Sequence, residues 1–379
     1  MIQRCISLIL IVLLFESCNS SGDDQNNEYV QLEELIFIDS VLIEEEKGFL
    51  TKPAKSTILN DTLIAIESMY AKGIWIVNTK TGKEETSLLD KSVMGVSFFI
   101  SNSDWTNYPE VYILDGRSSN VYHLNLEKGK NETEIILDKI SIKLPKGFSF
   151  RIFADLFWFR GNEFYIELSP DDTRQTSIDF YKKAGKFIGV FDLNGNFKYR
   201  FLDYPPSLTN LKGFIEPTSV YSFGRLNETE FALSFPSEKH LLMINSRDTT
   251  EIKKIAFPKS QYFEYEWPYL EEEVFHDMTA PKSFPAPHRF GELIFDKENL
   301  YLQSFMKDNV NFSTFKLMSH ILKYNFETKT WKESRIPKNF LDLGIFSGVL
   351  NDTLYFVEAS VMTRNEKYIK RAVLRPIED

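Results

Sequence analysis

The sequence predicts an all-β fold, a six-bladed β-propeller whose N-terminal strand completes the last blade. Three observations carry this. Aromatic residues make up 15% of the 379-residue chain, with 33 Phe and 17 Tyr, and such side chains favour pleated, half-buried strands. Polar turns followed by alternating apolar runs recur in six pairs. The pairs recur at intervals near the length of a four-stranded blade.

The chain opens on a different element. Arg4 is followed by an apolar stretch from Cys5 to Phe15, broken only by Ser7 and closed by Glu16. Eleven residues at helical rise cover about half of a ~30 Å hydrocarbon core, so the stretch reads as part of a signal peptide over residues 1–17. No later segment reaches the ~18 uninterrupted apolar residues of a membrane helix. Ser17-Cys18 resembles the lipobox of bacterial lipoproteins. That resemblance implies that Cys18 is acylated and tethers the protein to the outer membrane of the cell envelope. Phe15 and Glu16 stand where the lipobox usually has small aliphatic residues, and a plain secretory signal is the alternative reading. Residues 18–28, with Asn19-Ser20-Ser21-Gly22-Asp23-Asp24, read as a flexible tether. Asp23-Asp24 resembles the export signal of surface-exposed Bacteroidetes lipoproteins.

From residue 29 to 379 a single propeller domain is expected. The first members of the six pairs are Leu59–Ile66, Pro109–Leu114, Gly161–Ile166, Leu226–Leu233, Asp296–Leu302 and Leu350–Phe356. The second members are Gly73–Val77, Asn120–Leu124, Phe187–Phe191, His240–Ile244, His320–Tyr324 and Ile369–Leu374. Second members start 47, 67, 53, 80 and 49 residues apart. Short intervals match bare blades of about 40 to 50 residues, and long ones match blades carrying insertions. Leu35–Ile38 and Val41–Ile43 precede the first pair, and the last pair ends the chain, so the N-terminal strand closes the ring. Two unrelated β-sandwiches are the alternative. Helical signal is confined to short stretches such as Tyr269–Phe275 and Asp171–Lys183.

With its lipobox-like start, this length, abundant Phe and the Asn-Asp-Thr strand repeat, the mature chain resembles a family of Bacteroidetes lipoproteins of unknown function with a six-bladed propeller. The resemblance implies a fold and a location, and no activity.

Charge and cysteine usage exclude several functions. Lys and Arg number 44 against 54 Asp and Glu, a net charge of −10 that repels nucleic acid. Only Cys5 and Cys18 are present, so neither a disulfide framework nor thiol catalysis is available to a chain acylated at Cys18. Linear motifs of serine hydrolases, zinc proteases, phosphate loops and Cys-x-x-Cys centres are absent. No cofactor and no metal site are expected. His123, His240 and His320 occupy corresponding positions of three repeats, and a structural use is the default over a channel-lining one. Asp192-Leu193-Asn194-Gly195-Asn196 mimics part of a calcium loop but lacks its terminal Glu, which favours a hairpin turn. Four Asp-Ser/Thr-aliphatic-like triplets, including Asp61-Thr62-Leu63 and Asp352-Thr353-Leu354, resemble Bacteroidetes O-glycosylation sites, with turn chemistry as the default.

The candidate binding surface is the insertion Phe257–Phe290, which holds Tyr262, Tyr265, Trp267, Tyr269, His276, His288 and Arg289. Aromatics beside charges suit stacking on sugars or anchoring a protein interface, while a lid that buries its own rings is the alternative. These readings converge on a membrane-anchored binding or scaffold module for an outer-membrane protein or a glycan. The rival is a glycan-active hydrolase or lyase with carboxylates over the channel, which would leave no linear motif.

Overall fold

Alternating Val, Ile, Phe and Tyr build 27 strands among the described residues of a computed structural model. The structure describes residues 29–44, 53–68, 73–88, 99–126, 136–151, 156–174, 177–214, 221–249, 251–265, 269, 271, 288–307, 317–358 and 367–377. Strand β1 (Gln31–Leu42) comes first. It is followed by an antiparallel sheet of β2 (Pro53–Ile58), β3 (Leu63–Ser68), β4 (Gly73–Asn78) and β5 (Glu84–Leu88). A second sheet holds β6 (Ile100–Asp104), β7 (Glu110–Asp115), β8 (Asn120–Asn125) and β9 (Ile136–Ser141). The third combines β10 (Phe148–Phe150), β11 (Phe157–Arg160), β12 (Glu163–Pro170), β13 (Lys186–Asp192) and β14 (Phe197–Asp203). A fourth contains β15 (Ser222–Arg225), β16 (Glu230–Ser234), β17 (His240–Asn245) and β18 (Ile252–Ala256).

The fifth sheet has ten strands. One part is built on β19 (Arg289–Asp296), β20 (Asn299–Lys307), β22 (Ile321–Asn325) and β23 (Thr330–Ser334), with β21 (Leu317–Ser319) and β24 (Lys338–Asn339) at its side. The other contains β25 (Ile345–Leu350), β26 (Thr353–Val357), β27 (Tyr368–Pro376) and β1. β1 pairs antiparallel with β27 from Glu33↔Pro376 to Leu42↔Tyr368, so the first described strand lies beside the last. Among the described residues, the strand pairing that joins the two parts is the parallel one of Gln31–Glu33 with Lys332–Ser334. Helix is confined to short turns such as α1 (Phe180–Ala184), and no described helix is long and apolar enough to cross a membrane.

Each apolar pair of the sequence forms the two middle strands of a ladder: β3/β4, β7/β8, β12/β13, β16/β17, β20/β22 and β26/β27. Side chains alternate between faces along a strand, and here both faces are covered. Ala65, Ile74 and Ile76 pack against Val111, Ile113 and Tyr122, while Ile64, Ile66 and Trp75 pack the other way against Tyr355, Val357 and Ile369. Tyr112 and Leu114 meet Phe164 and Ile166; Tyr165 and Val190 meet Phe231 and Leu233; Ala232 and Leu241 meet Leu300 and Leu302; Tyr301 and Ile321 meet Leu354 and Phe356. The hydrophobic clusters thus run from one ladder to the next and return to the start. The result is a propeller-like, all-β arrangement.

Repeated turns use one device. The Asn60 side-chain oxygen accepts hydrogen bonds from Thr62 N, Thr62 Oγ1 and Leu63 N at 2.9, 3.1 and 3.0 Å. Asn227 does the same for Thr229 and Glu230 at 2.8, 3.1 and 2.9 Å. Asp-Thr and Glu-Thr after Asn are therefore turn chemistry of the Asx kind at these two sites. Asp192 likewise accepts from Asn194 N and Asn196 N at 2.9 and 2.8 Å, with Gly195 at φ 72°, and forms the hairpin turn expected there. Hydrogen bonds from Asn196 hold the Asp192 carboxyl below its ordinary pKa.

Candidate functional site

The first strands of the ladders, β2, β6, β11, β15, β19 and β25, all border one cavity of about 700 Å³. Two of these strands are more polar than the middle ones. β6 reads Ile-Ser-Asn-Ser-Asp, and β2 carries Lys55, Ser56 and Thr57. Volumes of this order suit a small ligand or the end of a polymer.

Lys55 organises one wall. Its ammonium donates to Asn102 Oδ1 at 3.1 Å and to the Ser103 carbonyl at 3.3 Å, and lies 3.5 Å from Glu292 Oε1 on the strand across the cavity. Burial disfavours its charge, but Glu292, Glu67 and Asp104 together outweigh burial and raise its pKa. Glu67, at the end of β3, is 5% exposed. Its Oε1 accepts from Trp105 Nε1 at 2.8 Å and from the Ser103 hydroxyl. Asp104 is held more tightly still. Its Oδ1 accepts from Thr106 N and Oγ1 at 2.9 and 2.6 Å, and its Oδ2 accepts from Phe159 N at 2.7 Å. Arg225 Nη1 stands 3.7 Å from the same Oδ2. Three carboxylates, Glu67, Asp104 and Glu292, and two cations, Lys55 and Arg225, therefore meet here, although they lie far apart in sequence.

The aromatic insertion divides. Arg289 opens β19 and lines the cavity, its guanidinium over the Phe305 ring at 5.7 Å. Tyr262 packs edge-on to His320 at 5.6 Å between centroids, and its hydroxyl accepts from Ile336 N at 3.3 Å. Tyr265 stacks on Phe257 at 5.2 Å, and burial, then the charge of Glu333, raises the pKa of its phenol strongly. His288 Nδ1 accepts from Glu264 N at 3.0 Å, and burial lowers its pKa against the opposing pull of Glu264. Tyr269 is 45% exposed. Trp267, His276 and the lipidation candidate Cys18 lie outside the described residues. Of the candidates that the structure describes, Arg289 reaches the cavity, whereas Tyr262 and Tyr265 belong to the hydrophobic cluster between β16/β17 and β20/β22.

None of the described histidines lines this cavity. His123 stacks on Tyr112 at 4.4 Å, His240 begins β17 opposite Ala256, and His320 is fully buried. Among the described residues no group of three His, Cys, Asp or Glu is arranged to hold a metal ion. Sequence reasoning missed Lys55, Glu67, Asp104, Arg225 and Glu292, since only the packing of separate ladders around the cavity brings them together.

No family model matches the chain, and no curated protein sequence matches it. Solved structures do. One is a member of the DUF4221 family from Bacteroides vulgatus, with TM-score 0.65 and 15% identity over 92% of this chain and 99% of that one. Another is a protein from Bacteroides fragilis assigned to export, with TM-score 0.53 and 12% identity over 93% of this chain and 98% of that one. At such identities the likeness is one of fold: this chain shares the propeller-like architecture of these Bacteroides proteins.

Proposed function

We propose that this protein is an envelope lipoprotein, anchored through Cys18, whose six-bladed propeller binds an extracellular polymer or a protein partner. The observation that carries the binding reading is the cavity at the convergence of the six first strands. Six blades are supported by the ladders themselves. Dividing the ten-stranded sheet at its short parallel junction leaves two antiparallel ladders like the others. For a protein partner, support comes from Ile36, Phe37 and Ile38, which are 42, 39 and 56% exposed on β1.

The rival reading, a glycan-active hydrolase or lyase, draws on the carboxylates of the cavity. General acid–base work needs a carboxyl free to exchange a proton with substrate. Asp104 instead commits both oxygens, to Thr106 and Phe159, and Glu67 Oε1 accepts from Trp105 and Ser103, which favours binding. The test is a panel of polysaccharides and envelope proteins presented to the full-length chain and to Thr57→Trp, which fills the cavity from β2. Retention by the native chain and loss by the variant is the expected result. Equal retention by both would remove the cavity from the reading, and release of shortened sugars would replace binding with catalysis.

A further inference from the structure

The charged groups of the cavity are not all ion-paired. Lys55 is committed to Glu292, Asn102 and Ser103, and Arg225 faces Asp104. Arg289 has no ion pair among the described residues and rests on Phe305. A planar guanidinium laid on a ring keeps its N–H edge open, and that edge matches the two oxygens of a carboxylate. Phe305 is itself positioned. Phe340 meets its ring edge-on at 5.1 Å, and the bare α-carbon of Gly291 leaves room where a Cβ would stand 2.9 Å from the Phe305 ring. The corner therefore offers, among the described residues, a cation without an ion pair beside an apolar ring. The net charge of −10 works against multiply charged anions, so a single carboxylate is the better match.

We propose that the Arg289–Phe305 corner of the cavity binds the carboxylate of a ring-bearing organic acid, of which uronate sugars and aryl acids are the two sources. The inference rests on the cavity-binding reading and names the chemistry it selects. Calorimetric titration of the full-length protein in detergent with galacturonate, galactose and benzoate tests it. At least one acid should bind about tenfold or more tightly than galactose, as expected for a charged hydrogen-bonded pair. The stronger acid identifies the source. Arg289→Gln should bring that acid to the level of galactose with the unfolding midpoint unchanged, and Arg289→Lys should restore part of the difference. If Arg289→Gln unfolds, Phe305→Leu replaces it, with an expected loss of several-fold. Galactose binding as tightly as both acids would overturn the carboxylate inference and leave the cavity reading standing. Binding by neither acid would also overturn it, and the polymer panel with Thr57→Trp would then decide the cavity reading independently.

Discussion

Arg151 and Glu167 form a buried ion pair at 2.8 Å, with the two side chains 5% and 0% exposed. Glu167, on β12, also accepts from Tyr204 at 3.3 Å and from Tyr221 at 2.6 Å, so one carboxylate ties the third ladder to the entry of the fourth. Tyr221 borders the cavity, which makes the pair part of its support. Arg151→Met keeps the apolar stem and removes the charge, leaving a buried carboxylate with phenol donors. Breaking such a pair from one side costs about 3–5 kcal/mol. In Arg151→Met/Glu167→Gln the amide oxygen can still accept from Tyr221 without charge, so the double variant should recover about 2 kcal/mol of that loss. Guanidinium unfolding followed by tryptophan fluorescence reads both. A loss below about 1 kcal/mol in Arg151→Met, or a double variant no better than the single, would refute the reasoning.

Three further outcomes are expected. In Gly224→Ala the new Cβ would stand 2.0 Å from the Leu293 carbonyl oxygen on β19, so the two first strands must separate. Overpacking of this kind should cost about 2 kcal/mol in unfolding free energy and weaken retention of polymer. His288 has a folded pKa below 6.5, so the stability it secures is present above 6.5 and is lost as pH falls through that value toward the folded one. His288→Asn should flatten that part of the pH–stability curve, and an unchanged slope would contradict the assignment. Cys18→Ala should move the protein from the detergent phase to the aqueous phase on Triton X-114 partition, whereas unchanged partition would contradict lipid anchoring.

What the sequence disclosed follows from what each strand faces. The middle strands of every ladder are covered on both sides, so Val111-Tyr112-Ile113-Leu114 and Phe164-Tyr165-Ile166 advertise themselves as apolar runs. Among the first strands, Ile100-Ser101-Asn102-Ser103-Asp104 places polar residues at the cavity wall and gives no apolar alternation to read. Last strands such as Ile252–Ala256, with Lys253 and Lys254, are similarly plain. The site suffers most from this. Lys55 and Glu292 stand on strands far apart in the chain and meet only when the ladders assemble into a ring. Arg289 alone was legible, because it sits where the aromatic insertion returns to a strand. In that insertion composition could not separate recognition from packing, and Tyr265, stacked on Phe257 and 4.8 Å from Phe263, lies among packed rings.

Access to solvent is what divides chemistry from architecture in this molecule. Ser304 Oγ approaches His320 Nδ1 at 2.5 Å, and His320 Nε2 approaches Glu333 Oε2 at 3.2 Å, the connectivity of a nucleophile relay. Yet Ser304 and His320 are wholly buried and Glu333 is 1% exposed, so no substrate carbonyl can reach the hydroxyl. Glu333 also accepts from Ser260 Oγ at 2.6 Å and Gln261 N at 2.9 Å, both in the segment after β18. A fully satisfied buried network rigidifies what it joins, and this one fastens that segment to β22 and β23. It holds Phe263 against Phe290, the neighbour of Arg289, with ring centroids 4.3 Å apart. The buried relay thereby supports the corner where Arg289 stands, without an ion pair among the described residues.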